Sequence, residues 1–367
     1  MLAQYVDDTG HNQPSIAVDI NGTIHCVTSL HGNTWQYYRS RLPGDVTSLV
    51  NASEELPDSV WNFTYPIMAS DTSGQVFLLI RGGHSANDFE RAGIVYRRSA
   101  EGIWERYLLI TNEPDRSFYP DDIQQDEAGK LWLLWEWGPW MAGVLRHKGS
   151  LAYYQNGGLF DITGAQVTTP ISVDYDGSLV YQPLVAGETF VANDNPDVAK
   201  TPGVQVAKLL LNGKSVYGVV YRYRPPREQA QSTFGGFNIK LARPAGNAWI
   251  YDTILDLDLG NVSTSAALGG IVRNGKPRIY FVIEKQEGNF TTAQLVLATE
   301  DESGGWRYYK VGNQAPRAPM RFQVIASGTR DLLYVTEPNS GALYELTVTE
   351  LESLPVFDSA QALINSL

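Results

Sequence analysis

An all-β fold assembled from one repeated hairpin is what the sequence predicts, and three observations predict it. The 367 residues are rich in Gly (34), Tyr (20) and Trp (9), a composition that suits many short strands joined by tight turns better than a helical bundle. One segment recurs: Pro14-Ser-Ile-Ala-Val-Asp19-Ile-Asn-Gly22-Thr-Ile24 matches Pro66-Ile-Met-Ala-Ser-Asp71-Thr-Ser-Gly74-Gln-Val76 position for position. Pro120 to Gly129 carries it with one residue more and Pro170 to Gly177 with one fewer, and weaker copies centre on Gly213, Gly275 and Gly328. The markers lie 52, 55, 48, 36, 62 and 53 residues apart, close to the length of a four-stranded propeller blade with its loops.

Each marker reads as a strand, a turn whose Gly supplies backbone freedom, and a second strand rich in β-branched and aromatic residues. Tyr37–Ser40, Val95–Ser99 and Leu151–Tyr154 read as third strands, and Trp104, Trp249 and Trp306 each open a fourth. Seven markers predict a seven-bladed β-propeller, with six blades as the alternative because the fourth copy is the least regular. Residues 1–367 are read as one domain, followed from Leu351 on by a short Ser/Ala-rich tail with no assigned role.

The bulk chemistry narrows the partners. Net charge is −12, and no Lys/Arg run is present that could track a phosphate backbone, so nucleic acid is not expected. An acidic chain still binds an anionic ligand where a few Arg, Lys and His are focused in one cleft. Cys26 is the single cysteine; it forms no internal disulfide and reads as a small buried hydrophobe. No stretch of about 18 apolar residues predicts a membrane span, and Met1–Asp8 lack the charged-then-apolar order of a secretory signal.

The architecture decides which side chains meet. In an antiparallel hairpin the start of the first strand and the end of the second lie at one end, so residues there line a common face. Before first strands stand His11, Tyr65 and Tyr119; at the ends of second strands stand His31, Arg81 with His84, Trp135-Glu136-Trp137, Tyr221-Arg222 and Glu284-Lys285. Taken singly, His11 and Tyr65 are as well explained as turn or packing residues, His25 as a satisfied strand residue and His147 as a solvated loop residue. The convergence of two His, a Tyr and an Arg is what points to a site. Eliminative cleavage of a uronate glycan needs a group that neutralises the carboxylate, a base for the C5 proton and an acid for the departing oxygen. Arg suits the first role, and His or an activated Tyr the others.

The sequence resembles the BNR-type seven-bladed propeller polysaccharide lyases, which include ulvan lyases. The resemblance rests on Gly10-His11-Asn12-Gln13-Pro14, Val18-Asp19, Gly22, Ser29-Leu30-His31, Thr64-Tyr65-Pro66 and Arg81-Gly82-Gly83, and covers most of the first three repeats. It implies that His11 and Tyr65 transfer protons, Arg81 holds the carboxylate and His31 supports the site. His84, Tyr119, Trp135, Trp137, Tyr221 and Arg222 are then expected to bind substrate. It further implies an acidic polysaccharide as partner, a secreted or periplasmic monomer and no cofactor for the chemistry. A structural metal, which some of these lyases bind, finds no convincing ligand set among one Cys and five His. Two other readings share the pattern. Ser99-Ala-Glu101-Gly102-Ile-Trp104 resembles a shortened Asp-box, as in sialidase-like hydrolases, but the complete Ser-x-Asp-x-Gly-x-x-Trp form is absent. A non-catalytic glycan-binding propeller would present a similar aromatic rim.

Overall fold

The protein is seen here as a computed structural model, which describes residues 14–28, 30–84, 89–114, 116–139, 148–181, 203–224, 236–257, 261–287, 290–312, 321–337 and 340–367. The fold is an all-β propeller of six blades. The described residues form two compact units, one up to Leu179 and one from Val180 on. Each unit holds three blades.

In the first unit, blade 1 pairs Ser15–Val18, Ile24–Val27, Tyr37–Ser40 and Leu49–Asn51. Blade 2 pairs Asn62–Ser70, Val76–His84, Phe89–Arg98 and Trp104–Thr111, with the short strand His31–Asn33 added beside its first strand. Blade 3 pairs Arg116–Gln125, Leu131–Pro139, Lys148–Gln155 and Gly158–Phe160. In the second unit, blade 4 pairs Gly203–Asn212, Ser215–Arg224, Asn238–Ala245 and Ala248–Leu255. Blade 5 pairs Val262–Arg273, Lys276–Glu287, Phe290–Glu300 and Trp306–Val311, and blade 6 pairs Arg321–Ser327, Arg330–Glu337 and Ser340–Thr347. Neighbouring strands are antiparallel throughout.

Six of the seven marker glycines lie where the repeat puts them, between the first two strands of a blade, with left-handed φ of 56° to 91°. The turn is built by its Asp. Asp19, Asp71 and Asp126 each turn Oδ1 onto the backbone N–H groups two and four residues on, at 2.8–3.0 Å. This satisfies donors that the tight turn leaves without a ladder partner.

The expectation of seven blades is corrected by the marker Pro170–Gly177. Gly177 sits in a 3-10 turn, Asp176–Ser178, and an added Cβ there would stand 2.5 Å from Asp161 and Tyr175. The Asx turn of this stretch belongs instead to Asp161, which accepts from Thr163 and Ala165 N–H at 2.9 and 3.1 Å and from the Tyr175 hydroxyl at 2.8 Å. An Asp-x-x-Gly turn suits any strand connection, so the motif recurs outside the first hairpin as well: Asp301 to Gly304 joins the third and fourth strands of blade 5.

Apolar faces of adjacent sheets fill the space between blades. In the first unit Trp35 stacks on Phe63 at 3.5 Å and meets Tyr96 edge-on at 5.1 Å, amid buried Val27, Leu78 and Ile80. The stretch beyond Leu351 is more than a loose tail. Val356–Phe357 pairs with Tyr308 and Tyr309 on the open edge of blade 5, and Leu363 and Ile364 are buried against that blade. A covered edge presents no free backbone groups to another chain. Among the described residues no helix is long and apolar enough to cross a membrane.

His25 and Cys26 are structural. Cys26 is buried, and burial pushes its thiol up to about 11. His25 is fully buried, with Nδ1 2.7 Å from the Tyr37 hydroxyl and Nε2 3.3 Å from Asp19 Oδ2. Burial holds its imidazole below the ordinary value, against the opposing pull of Asp19. The unfolded chain therefore takes up this proton near the ordinary value of about 6.5, while the folded protein resists it. Stability should then be full above that pH and fall as pH drops through it. Thermal denaturation followed from pH 8 to pH 5.5 should show the midpoint falling, and His25→Gln should flatten that slope; an unchanged slope in the variant would assign the acid sensitivity to other groups.

Candidate active site

The register of blade 2 gathers a group of polar side chains on one sheet face. Arg81 pairs with Thr64 on the first strand and with Gly93 on the third, and directly paired residues project to the same side. Gly93 contributes no side chain there, because a Cβ would stand 2.3 Å from the Phe118 ring. Arg91, two residues along the same strand, takes the diagonal position on that face.

Tyr65, next to Thr64, should by strand alternation point to the opposite face. The register slips between Thr64 and Ile67, and Tyr65 has φ +60°, a left-handed conformation that is strained for an aromatic residue. The bulge re-aims the ring. Its centroid lies 4.7 Å from Arg81 Cζ, and that of Tyr119 lies 4.9 Å from it. The two rings are themselves 5.6 Å apart, so they stand side by side against the guanidinium, each within cation–π range. Arg81 is only 9% exposed, and its Nη1 is buried with no hydrogen-bond partner. Burial pulls the guanidinium below its ordinary value, the Tyr119 and Tyr65 phenols oppose that, and the Arg91 charge adds to it.

Over this group opens a cavity of about 310 Å³ lined by His31, Gly32, Asn62, Thr64, Arg81, Gly83 and Arg91. His31 is exposed; its strand pairs with Thr64, whose Oγ1 accepts from Gly32 N–H at 3.0 Å. Arg91 donates from Nη1 to Ser117 Oγ at 3.2 Å, a link to the first strand of blade 3. Two guanidiniums and an imidazole line this cavity, and among the described residues no carboxylate does. Such a surface favours an anionic ligand. No group of acidic, His or Cys side chains among the described residues could hold a metal ion.

Of the side chains the sequence selected, the fold brings together His31, Tyr65, Arg81 and Tyr119. Tyr65 and Tyr119 lie within their first strands rather than before them, because both strands begin three residues earlier. His11 and His147 lie outside the described residues. His84 ends the Arg81 strand and is half-buried. Trp135 and Trp137 are core residues, 0% and 1% exposed, and Trp137 Nε1 donates to Ser150; they offer no surface to a substrate. Glu136 beside them is buried too. Tyr221 and Arg222 belong to the second unit, where Tyr221 is stacked flat on Tyr181 at 3.9 Å and Arg222 bonds Gln205 and Thr264. Glu284, whose carboxyl burial raises against the pull of Arg222, and Lys285 belong to that unit too. The sequence reading missed Arg91, Asn62 and Thr64. Arg91 was open to the same logic, since a third strand begins at the end where the second finishes.

The model of the BNR repeat-containing family matches residues 2–224, more than half of the chain. The chain belongs to that family. No curated protein matches this BNR repeat-containing chain. Among solved structures it is similar to an ulvan lyase of polysaccharide lyase family PL25, at 13% identity over 94% of this chain and 82% of that one, with a TM-score of 0.64. A PL25 ulvan lyase bound to -[GlcA(1-4)Rha3S]- gives 12%, 93%, 82% and 0.63 for the same measures. The GH93 α-L-arabinofuranosidase of Fusarium graminearum with arabinobiose gives 12%, 95%, 96% and 0.52. At such identities the likeness is one of fold.

The strained backbone at Tyr65 has a measurable cost. Tyr65→Gly and Tyr65→Ala both lose the ring, but only Gly accepts φ +60° without penalty. Denaturant unfolding should find Tyr65→Gly more stable than Tyr65→Ala by about 1 kcal/mol; equal stabilities would mean the conformation carries no strain.

Proposed function

We propose that the protein is a polysaccharide lyase that cleaves a uronate-containing acidic glycan by β-elimination. The observation that carries this is the cavity lining: Arg81, Arg91 and His31 with no carboxylate among the described residues. Most glycoside hydrolases flank the scissile bond with two carboxyl groups, whereas elimination needs a cationic holder for the uronate carboxylate and separate groups for proton transfer.

In this reading Arg81 neutralises the carboxylate, so that negative charge developing on loss of the C5 proton is stabilised. Its orphan Nη1 is a donor in want of an acceptor. A base takes the C5 proton, the electron pair forms the C4–C5 double bond, the C4–O bond breaks, and an acid protonates the departing oxygen. His11 and Tyr65 are the proton-transfer pair, and His31 supports the site from the cavity wall. His is the better base near neutral pH, its unperturbed pKa being about 6.5 against about 10 for Tyr. Tyr65 serves as acid, or as both acid and base where the Arg81 charge beside its ring favours the phenolate. A polymeric glycan does not enter a cell intact, which puts the enzyme's work outside the cytoplasm, secreted or periplasmic.

The test is incubation with a panel of acidic polysaccharides while following the ultraviolet absorbance of an unsaturated uronate. Wild type should generate it, and His11→Ala and Tyr65→Phe should abolish it without loss of fold. Arg81→Lys keeps the charge but loses the fork of donors, and should cut turnover by about 10²-fold with little change in thermal midpoint. Retained binding by an inactive Tyr65→Phe would separate this reading from that of a non-catalytic glycan-binding propeller; wild-type-like activity in any folded variant would remove that residue from the mechanism.

A further inference from the structure

One cross-strand row of blade 2 runs through the cavity. His31 is paired with Thr64 and Thr64 with Arg81, and directly paired residues project to the same side. Two strand spacings, about 9–10 Å, separate the roots of His31 and Arg81, and Thr64 lies between them. Its side chain is buried and lines the same cavity.

The outer members of this row are held differently. Arg81 stands on a strand of nine residues that is paired on both sides. His31 begins a strand of three, His31-Gly32-Asn33, which is exposed along its length and, among the described residues, laddered to the first strand of the blade alone. So short a strand has little to set its register. Gly32 has no side chain to pack, and a Cβ there would meet nothing within 4 Å. A slip of one residue would turn His31 to the opposite face of the sheet.

A side-chain bond opposes that slip. The register shifts between the His31–Thr64 and Asn33–Phe63 pairs, with Gly32 at φ +75°. A bulged residue loses its place in the ladder, and the Gly32 N–H is instead accepted by Thr64 Oγ1 at 3.0 Å. The other printed bond of this strand runs from His31 N–H to Asn33 Oδ1 at 3.0 Å; it moves with the strand and does not fix its register.

We propose that Thr64 is a positioning residue: its hydroxyl locks the register of His31–Asn33 on blade 2 and so keeps the His31 imidazole in the cavity with Arg81. The inference rests on the reading of this cavity as the site for an acidic glycan, but not on the chemistry that follows binding.

Thr64→Val keeps the branched shape of the side chain and removes the acceptor, whereas Thr64→Ser keeps the acceptor. Thr64→Ala also lacks the acceptor and takes the place of Thr64→Val should that variant not fold. Each is made in the full chain carrying Tyr65→Phe, so that ligand is bound and not consumed, with and without His31→Ala. Equilibrium binding is measured by affinity electrophoresis in a homopolymer of uronate and in a sulfated glycan with uronate at every second sugar. With His31 present, Thr64→Val should weaken binding of the better-bound polymer about fivefold, as expected for one hydrogen bond, and Thr64→Ser should stay within about twofold of the parent. His31→Ala alone should cost at least as much as Thr64→Val. In the His31→Ala background Thr64→Val should change binding by less than about twofold, because it acts through His31. Equal loss in both backgrounds would give Thr64 a contact of its own or a general structural role, and overturns the proposal. Unchanged binding in Thr64→Val or in His31→Ala, a Thr64→Ser as weak as Thr64→Val, or a parent that binds neither polymer overturns it as well. Failure of the lyase reading is distinguished separately, because chains with Tyr65 intact would then form no unsaturated product while binding still followed the pattern above.

Discussion

The first unit is organised around one buried cation packed against two neighbouring phenol rings. For Arg81 to meet both Tyr65 and Tyr119, Tyr65 leaves the ordinary alternation of its strand in a bulge, while Tyr119 stays in register opposite Glu136. Tyr65-Pro66 and Tyr119-Pro120 are equivalent dipeptides on adjacent first strands, the first lying inside a register shift and the second just before one. Pro donates no ladder hydrogen bond, so a bulge is where a strand tolerates it best. Gly93 lets the Phe118 ring come against the strand opposite Arg81. Bulge, missing side chain and left-handed tyrosine all serve the same placement.

This placement also divides labour in the cavity. Arg81 is 9% exposed and packed against two rings, so it has little freedom. Arg91 and His31 are more accessible and stand on the third strand and the added strand of blade 2. Cation–π contacts of this kind are worth a few kcal/mol at most, whereas a buried guanidinium with an unfilled donor is costly.

Much of this was legible in the sequence. The hairpin marker is a local device, one Asp closing its own turn over a Gly, so it repeats with little regard to its surroundings and can be read directly. The same self-sufficiency misleads: Pro170–Gly177 carries the letters of the marker, yet Asp161 and Tyr175 crowd that Gly and the chain there extends blade 3. The interval of 36 residues to the next marker was the visible sign, being too short for four strands and their loops. His31, Tyr65, Arg81 and Tyr119 were found because strand order alone fixes which ends share a face. Trp135 and Trp137 were misjudged because a strand end does not reveal depth, and a Trp serves a core as well as a rim. The last residues were unreadable for a further reason: Val356, Leu363 and Ile364 have no pattern of their own and take their role from the open edge of blade 5.

The Asp turns bear on how an acidic chain keeps a cationic cavity. Asp19, Asp71 and Asp126 cap the hairpins of the first unit at the end opposite to Thr64 and Arg81, with a strand such as Val76–His84 between them. From Val76 to Arg81 the strand rises about 17 Å, about twice the screening length of about 8 Å at physiological salt. The turn carboxylates are also partly offset where they stand: Arg98 lies 3.7 Å from Asp19 Oδ2, and Arg97 and Arg98 pair with the strand start beside Asp71. A net charge of −12 therefore says little about the field inside the cavity, which Arg81, Arg91 and His31 set at close range.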